Sequence, residues 1–211
     1  MKKAIDNNTI STIIWDLGGV LVRTEDPLPR QKLAAELGLT VSELEKLAFG
    51  REIDNQGQLG VIDYQTHWMK IIERLGRDQA DLDWIRSQFF AGDRVDYELV
   101  DYIRSLRVQY KTGLLSNAFL NLRELMISVW RIDDAFDRLV ISAEIGMMKP
   151  DPKIYYHALN ELEVKPEQAV FVDDQLANVE AAWKIGMRAI QFKNHGQAKR
   201  ELEALLDGAV T

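Results

Sequence analysis

Acidic and polar side chains stand directly after three of the apolar segments in this sequence. Asp16 follows the first segment, Ser116 and Asn117 follow the second, and Asp173 and Asp174 follow the third. Carboxylates are ligands that hard cations prefer, and hydroxyl and amide groups can donate hydrogen bonds to an anion. If these segments meet, they form a hard-cation site beside an anion pocket.

These residues lie on a first strand near the start of the chain and, after residue 92, on elements that alternate between helix and strand. Strands are predicted at 10–15, 112–115, 138–141, 169–172 and 188–192, and helices at 95–106, 120–130, 152–162, 176–185 and 197–206. Strands separated by single helices favour an α/β fold with a doubly wound parallel sheet. Ligands of such sheets bind outside the carboxyl ends of the strands, so all of the polar segments are expected at one rim. Lys149 lies in a loop that can point into the same crevice.

Residues 27–90 have a different pattern, with helical spacing and few strand signals. Thr40 followed by Glu43 is a capping-box signature, and further helices are predicted at 64–75 and 82–89. We expect a helical insert here, with the polar segment 51–60 as a loop that reaches the pocket.

Composition narrows the possible functions. The 211 residues include no cysteine, which excludes disulfides, thiolate zinc sites and cysteine nucleophiles. A net charge of -7 argues against a broad nucleic-acid footprint. Neither a signal peptide nor a membrane span is expected, so we predict a cytoplasmic protein without membrane or nucleic-acid partners. The pattern Asn7-Asn8-Thr9 fits a glycosylation acceptor. Because no secretory signal is expected, this interpretation is a minor one.

Four motifs together resemble the haloacid dehalogenase-like (HAD) hydrolase superfamily. They are Asp16-Leu-Gly-Gly-Val, Leu115-Ser-Asn-Ala, Lys149-Pro-Asp-Pro and Val172-Asp-Asp-Gln-Leu-Ala-Asn-Val-Glu-Ala-Ala. Their order and spacing match over about residues 10 to 207, with the helical insert placed as in members that carry an α-helical cap. The resemblance implies a Rossmann-like core at 1–24 and 93–211 and a cap at 25–92.

The resemblance also implies Mg²⁺-dependent hydrolysis of a small phosphorylated metabolite. Asp16 would be the nucleophile, forming an aspartyl-phosphate, and Mg²⁺ would screen the repulsion between this carboxylate and the phosphate. The metal ligands would be Asp16, Asp174 and the backbone carbonyl of Gly18, with Asp173 acting through water or as a neighbouring ligand.

The remaining implied roles concern the substrate. Ser116 and Asn117 would donate hydrogen bonds to phosphoryl oxygens, and Gly19 would also contact the substrate. Lys149 would balance the charge on Asp16 and on the phosphate. Asn178 would support the acidic loop from behind.

One position departs from the family pattern. Phosphatases of this family normally carry a second Asp two residues after the nucleophile as general acid and base, whereas this chain has Gly18. Such catalysis contributes about 10² to 10⁴-fold. Three interpretations remain open: substrates with good leaving groups, such as anomeric or acyl phosphates; a replacement acid, with Glu25 and Asp26 nearest in sequence; or loss of turnover.

The alternatives to a phosphatase are a metal-free dehalogenase, a mutase, and a phospholigand-binding or regulatory protein. Attack on a carbon–halogen bond needs no cation, so Asp173-Asp174 argues against the dehalogenase. His67, His157 and His195 are interpreted as surface or helix-face residues, and Trp183 as a core residue. Substrate identity and oligomeric state are not predicted.

Overall fold

The structure is a computed structural model that describes residues 9–49 and 51–208, without the side chains of Arg51 and Glu52. The start Met1-Lys2-Lys3 and the first two residues of the glycosylation pattern lie outside the described residues. Within them, every helix is too short or too polar to cross a bilayer.

A five-stranded parallel sheet forms the centre of the fold, with the order β5-β4-β1-β6-β7. Its strands are β1 (Thr12–Trp15), β4 (Lys111–Ser116), β5 (Arg138–Ile141), β6 (Ala169–Asp173) and β7 (Arg188–Gln191). Trp15 at the end of β1 pairs with Leu114 on one side and Val172 on the other. This register aligns the carboxyl ends of β1, β4 and β6, and it confirms the predicted α/β class.

The helices flank this sheet and also form a separate bundle. They are α1 (Leu28–Glu36), α2 (Val41–Ala48), α3 (Arg51–Gln58), α4 (Tyr64–Arg74), α5 (Leu82–Phe90), α6 (Tyr97–Leu106), α7 (Leu122–Glu124), α8 (Ser142–Ile145), α9 (Pro152–Glu161), α10 (Leu176–Lys184) and α11 (His195–Leu206).

Two apolar cores lie on opposite faces of the sheet, because alternate residues of a strand point to opposite faces. Ile13 and Trp15 belong to one core, which includes Leu99 of α6. Ile14 belongs to the other, which includes Tyr155 of α9 and Phe171 of β6. Burial on both faces explains why the strands are nearly continuous apolar runs.

Helices α1 to α5 form a bundle that we call the helical insertion (residues 28–90). Leu33, Leu44, Trp68, Ile71 and Phe89 are among the residues of its own apolar core. The insertion joins the rest of the chain through two short antiparallel strands, β2 (Val22–Thr24) and β3 (Asp93–Val95).

The capping box predicted for α2 is present. Thr40 accepts a hydrogen bond from the backbone N–H of Glu43, and the Glu43 side chain accepts one from the backbone N–H of Thr40. The two reciprocal bonds satisfy amides that the first helical turn leaves free.

The insertion also buries polar side chains, among them Asp54 and His67. Asp54 is 6% exposed; Oδ2 accepts a hydrogen bond from Gln58 at 2.7 Å, whereas Oδ1 has no partner. Burial raises the pKa of Asp54 to about 6. His67 lies on helix α4 but is only 2% exposed, so of its two predicted positions, at the surface or on a helix face, the surface is wrong.

Other expectations also fail in detail. Residues 51–58 are helical rather than a loop, and Trp183 is 51% exposed rather than in the core. The predicted helix at 120–130 begins at Leu122 and continues from Leu125 as a π-helical segment, in which each N–H bonds the carbonyl five residues back.

Candidate active site

Three carboxylates meet at the carboxyl ends of β1 and β6. Asp16 directly follows β1, Asp173 is the last residue of β6, and Asp174 comes next. One ligand oxygen from each lies within 4.8 Å of the others. The sheet register therefore brings together residues more than 150 positions apart.

Lys149 enters this cluster from the loop between α8 and α9. Its Nζ lies 2.7 Å from Oδ1 of Asp16 and 2.7 Å from Oδ2 of Asp173, and the residue is 2% exposed. Burial alone would lower the pKa of Lys149, but the attraction of the two carboxylates outweighs it, and the pKa is raised. The ammonium is therefore the fixed positive charge of the site.

Burial acts on the carboxylates in the opposite direction. It raises the pKa of Asp16 above its usual range, although the attraction of Lys149 opposes the shift. The pKa of Asp174 is raised by burial as well, against the hydrogen bond from Gln175. Three close carboxylates with a single ammonium thus favour additional positive charge between them.

Asp173 is held from several sides, and it is fully buried. Its Oδ1 accepts a hydrogen bond from the backbone N–H of Gln175 at 2.8 Å, and Nδ2 of Asn178 lies 3.0 Å from each oxygen. With Lys149 on Oδ2, both oxygens are occupied by protein donors. Asp173 thus positions Lys149, whereas Asp174 is partly exposed.

The polar residues after β4 divide into two roles. Ser116 is 3% exposed at the end of the strand, beside the carboxylates in the sheet order. Asn117 instead pairs with the backbone of Lys149: its Nδ2 donates to the Lys149 carbonyl at 2.9 Å, and its Oδ1 accepts from the Lys149 N–H at 2.8 Å. The side chain predicted to bind substrate is thus largely used to fix the lysine loop.

The two glycines after Asp16 differ sharply. A Cβ on Gly18 would meet nothing within 4 Å, so neither packing nor backbone conformation excludes a side chain there. Gly19 has φ +77°, and a Cβ on it would lie 2.5 Å from Cγ of Asp174. Its N–H donates to the carbonyl of Val22 at 2.9 Å. The absence of a side chain at Gly19 therefore makes room for Asp174, and the substrate contact predicted for Gly19 stays a prediction.

The donor set suits a hard divalent cation. Asp16, Asp173 and Asp174 offer only carboxylate oxygens, and Mg²⁺ is bound through one or two carboxylates together with phosphate oxygens and water. No softer donor lies in this group. The residues present therefore fit Mg²⁺.

Sequence reasoning missed several residues around the site. Gln175 bonds both acids, with its backbone N–H on Asp173 and its Nε2 on Asp174 at 2.7 Å. Ser142 Oγ accepts a hydrogen bond from the backbone N–H of Ala118 at 3.0 Å. Ser142 directly follows β5, so the strand-end rule that found Ser116 was able to find it too.

The acids suggested as replacements for the missing Asp lie in the linker after β2. Glu25 is 3.8 Å from Arg23, and Asp26 accepts a hydrogen bond from the backbone N–H of Leu28 at the start of α1. Neither contact connects these two side chains to the cluster around Asp16.

The sequence model of the haloacid dehalogenase-like hydrolase family matches residues 10–186. The chain belongs to this family. The HAD-like motifs identified in the sequence lie within the match, and the parallel sheet agrees with the solved structures of HAD enzymes. The chain is accordingly a hydrolase.

Similar proteins cover nearly the whole chain. D-ribitol-5-phosphate phosphatase of Bacteroides thetaiotaomicron is 26% identical, over 94% of this chain and 99% of its own length. The sesquiterpene phosphatase astK of Aspergillus oryzae is 27% identical over 94% of this chain and 97% of its own length. Among solved structures, the HAD family enzyme bt-2542 of Bacteroides thetaiotaomicron, in complex with magnesium and inorganic phosphate, superposes with a TM-score of 0.73 at 24% identity, covering 87% of this chain and 94% of its own. This last similarity concerns the fold.

Proposed function

We propose that the protein is a Mg²⁺-dependent phosphomonoesterase that uses Asp16 as its nucleophile. The observation that carries the proposal is the cluster of Asp16, Asp173 and Asp174, within 4.8 Å of one another, with Lys149 2.7 Å from Asp16 and from Asp173. A dehalogenase needs no such concentration of acids. Relatives named as phosphatases over nearly the full chain support the same conclusion.

The reaction has two displacements. A carboxylate oxygen of Asp16 attacks the phosphorus, the P–O bond to the leaving oxygen breaks with its electron pair on that oxygen, and a phosphoryl group remains on Asp16. Water then attacks that phosphorus, the bond to Asp16 breaks and restores the carboxylate, and inorganic phosphate leaves; the proton lost by the water balances, through solvent, the one taken up by the leaving oxygen. Lys149 and Ser116 have the charge and the donor needed to hold the phosphoryl oxygens through both steps.

A bound Mg²⁺ would supply positive charge between the carboxylate and the phosphate, lowering both their repulsion and the pKa of Asp16. Asp16, Asp174 and the carbonyl of Gly18 are the residues that would hold it. Asp173 contributes by fixing Lys149 and the start of α10.

Gly18 bears on the substrate class. Since no side chain at this position can protonate the leaving oxygen, the first displacement depends on the leaving group itself. We infer a preference for phosphates whose leaving group departs readily, such as anomeric or acyl phosphates. We further propose that residues 25–92 act as a cap over residues 1–24 and 93–211, because the helical insertion contacts the loop after β4 and helix α8 after β5.

The test is phosphate release from a panel of anomeric, acyl and primary alkyl phosphates, measured with saturating Mg²⁺ and again with EDTA. We expect phosphate release to require Mg²⁺ and to be absent in Asp16→Asn. Circular dichroism should show that this variant is folded. Halide release from 2-haloacids without metal would instead establish a dehalogenase. Binding of phosphate esters without turnover would establish a binding protein.

A further inference from the structure

Phe119 connects the loop after β4 to the helical insertion. It stands three residues after Ser116, and its ring lies 4.6 Å from the His67 ring and 5.5 Å from the Tyr64 ring, measured between centroids. On α3, a Cβ on Gly57 would overlap the Phe119 ring. The Phe119 side chain, which comes from the loop after β4, is therefore inserted between α3 and α4.

The two residues before Phe119 bind other parts of the site. Asn117 makes its two hydrogen bonds to the backbone of Lys149, at 2.8 and 2.9 Å. Ala118 is bonded through its N–H to Ser142 Oγ, and its carbonyl accepts from Ser142 Oγ at 3.2 Å and from the Ala143 N–H at 3.3 Å. The 117–119 segment thus joins the lysine loop, α8 and the insertion.

The insertion makes a second close approach at the same place. Gly60 has φ +73°, and a Cβ on it would overlap the carbonyl oxygen of Ala143. Ala143 is one of the residues bonded to Ala118. The insertion therefore approaches the 117–119 segment twice: directly at the Phe119 ring, and indirectly at Ala143, which is bonded to Ala118.

We propose that Phe119 is a positioning residue: its insertion between α3 and α4 holds Asn117, and through Asn117 the Lys149 loop, in the geometry that binds the phosphoryl group. The proposal rests on the proposed phosphatase function for its catalytic consequence only. The coupling itself is a property of the fold, because it runs through a hydrogen bond within the protein, from the Lys149 N–H to Oδ1 of Asn117 at 2.8 Å.

The first experiment follows amide hydrogen exchange of Lys149 by NMR in the full chain. In Phe119→Ala we expect exchange at Lys149 to become at least about tenfold faster, since the bond to Asn117 opens more often. The adjacent and half-exposed Leu120 provides the matched control, and Leu120→Ala should leave this exchange unchanged. Unchanged exchange in Phe119→Ala overturns the proposal, and this result does not depend on turnover.

The second experiment measures function. We expect kcat/KM for phosphate release to fall about 10²-fold in Phe119→Ala, with weaker binding of inorganic phosphate in the presence of Mg²⁺, because small misplacements of positioning groups have effects of that size. A purely structural role would lower the melting temperature and leave both quantities as in the wild type. If the wild type releases no phosphate from any ester, the proposed function fails, and the exchange experiment still decides the role of Phe119.

A pair of variants keeps the test valid if the alanine variant does not fold. Phe119→Leu retains apolar bulk and should show a smaller effect in the same direction. Gly57→Ala forces the ring out and should reproduce the faster exchange of Phe119→Ala, whereas Gly196→Ala on α11 should not. Combining Gly57→Ala with Phe119→Ala should add little to either alone, since both remove one contact. Full additivity would overturn the proposal.

Discussion

The buried carboxyl of Asp54 makes a quantitative prediction about stability. Burial raises its pKa from 3.8 to about 6 in the folded protein. As pH rises, the unfolded chain releases this proton first, so the folded state loses stability relative to the unfolded state between about pH 4 and pH 6. A shift of roughly 2 units corresponds to about 3 kcal/mol of unfolding free energy, at about 1.36 kcal/mol per unit.

Asp54→Asn removes this titration. The amide can still accept the hydrogen bond from Gln58, although it leaves a buried N–H in place of the unpartnered Oδ1. The absolute stability of the variant therefore combines a gain and a loss, but its pH dependence is unambiguous. Between pH 4 and pH 7 the wild type should lose about 2 kcal/mol relative to Asp54→Asn.

Urea unfolding, followed by tryptophan fluorescence at a series of pH values, measures this difference. The matched control is Asp78→Asn, which removes an exposed carboxylate of the same helical insertion in place of a buried one. Parallel curves for Asp54→Asn would refute the reasoning. A wild type that gains stability over Asp54→Asn with rising pH would mean that a positive charge faces the carboxylate.

Two further predictions concern the glycines beside Asp16. The structure has space for the side chain of Gly18→Asp. In initial-rate assays this variant should hydrolyse alkyl phosphates up to about 10² to 10⁴-fold faster than the wild type, and anomeric or acyl phosphates only slightly faster. Equal acceleration of both classes of substrate would contradict the leaving-group argument. Gly19→Ala should raise the Mg²⁺ concentration needed for half-maximal activity about tenfold, because its methyl group would displace the Asp174 carboxylate, whereas Gly18→Ala should not. An unchanged Mg²⁺ requirement in Gly19→Ala would show that Asp174 is not displaced.

The positions of the strand-end residues in the site could be predicted from the sequence for a physical reason. A parallel sheet aligns the carboxyl ends of its strands, so Asp16, Ser116 and Asp173 had to share one rim once the strands were recognised. Lys149 was placed there by its position in a loop. What the sequence did not contain was the use of Asn117 to hold that loop, because this depends on side-chain orientation rather than on order along the chain.

The details of the helical insertion were harder to predict from the sequence, because they depend on tertiary contacts rather than on a pattern along the chain. α3 contains Gly57, a poor helix former, and its packing on Phe119 is a tertiary contact with no local signal. β2 and β3 are three residues each and pair across about 70 positions, so neither has a periodicity long enough to detect. Trp183 has core spacing on α10, but its indole lies at the surface and donates to the Ala189 carbonyl at 3.2 Å.

The paired strands β2 and β3 also have an evolutionary consequence. Thr24 lies opposite Asp93, so the chain departs for the bundle and returns from it at adjacent points. Everything between them can be lengthened, shortened or exchanged for another folded unit while the path of the five central strands stays the same. The insertion is therefore one continuous stretch of gene whose replacement leaves Asp16, Lys149 and Asp173 in place.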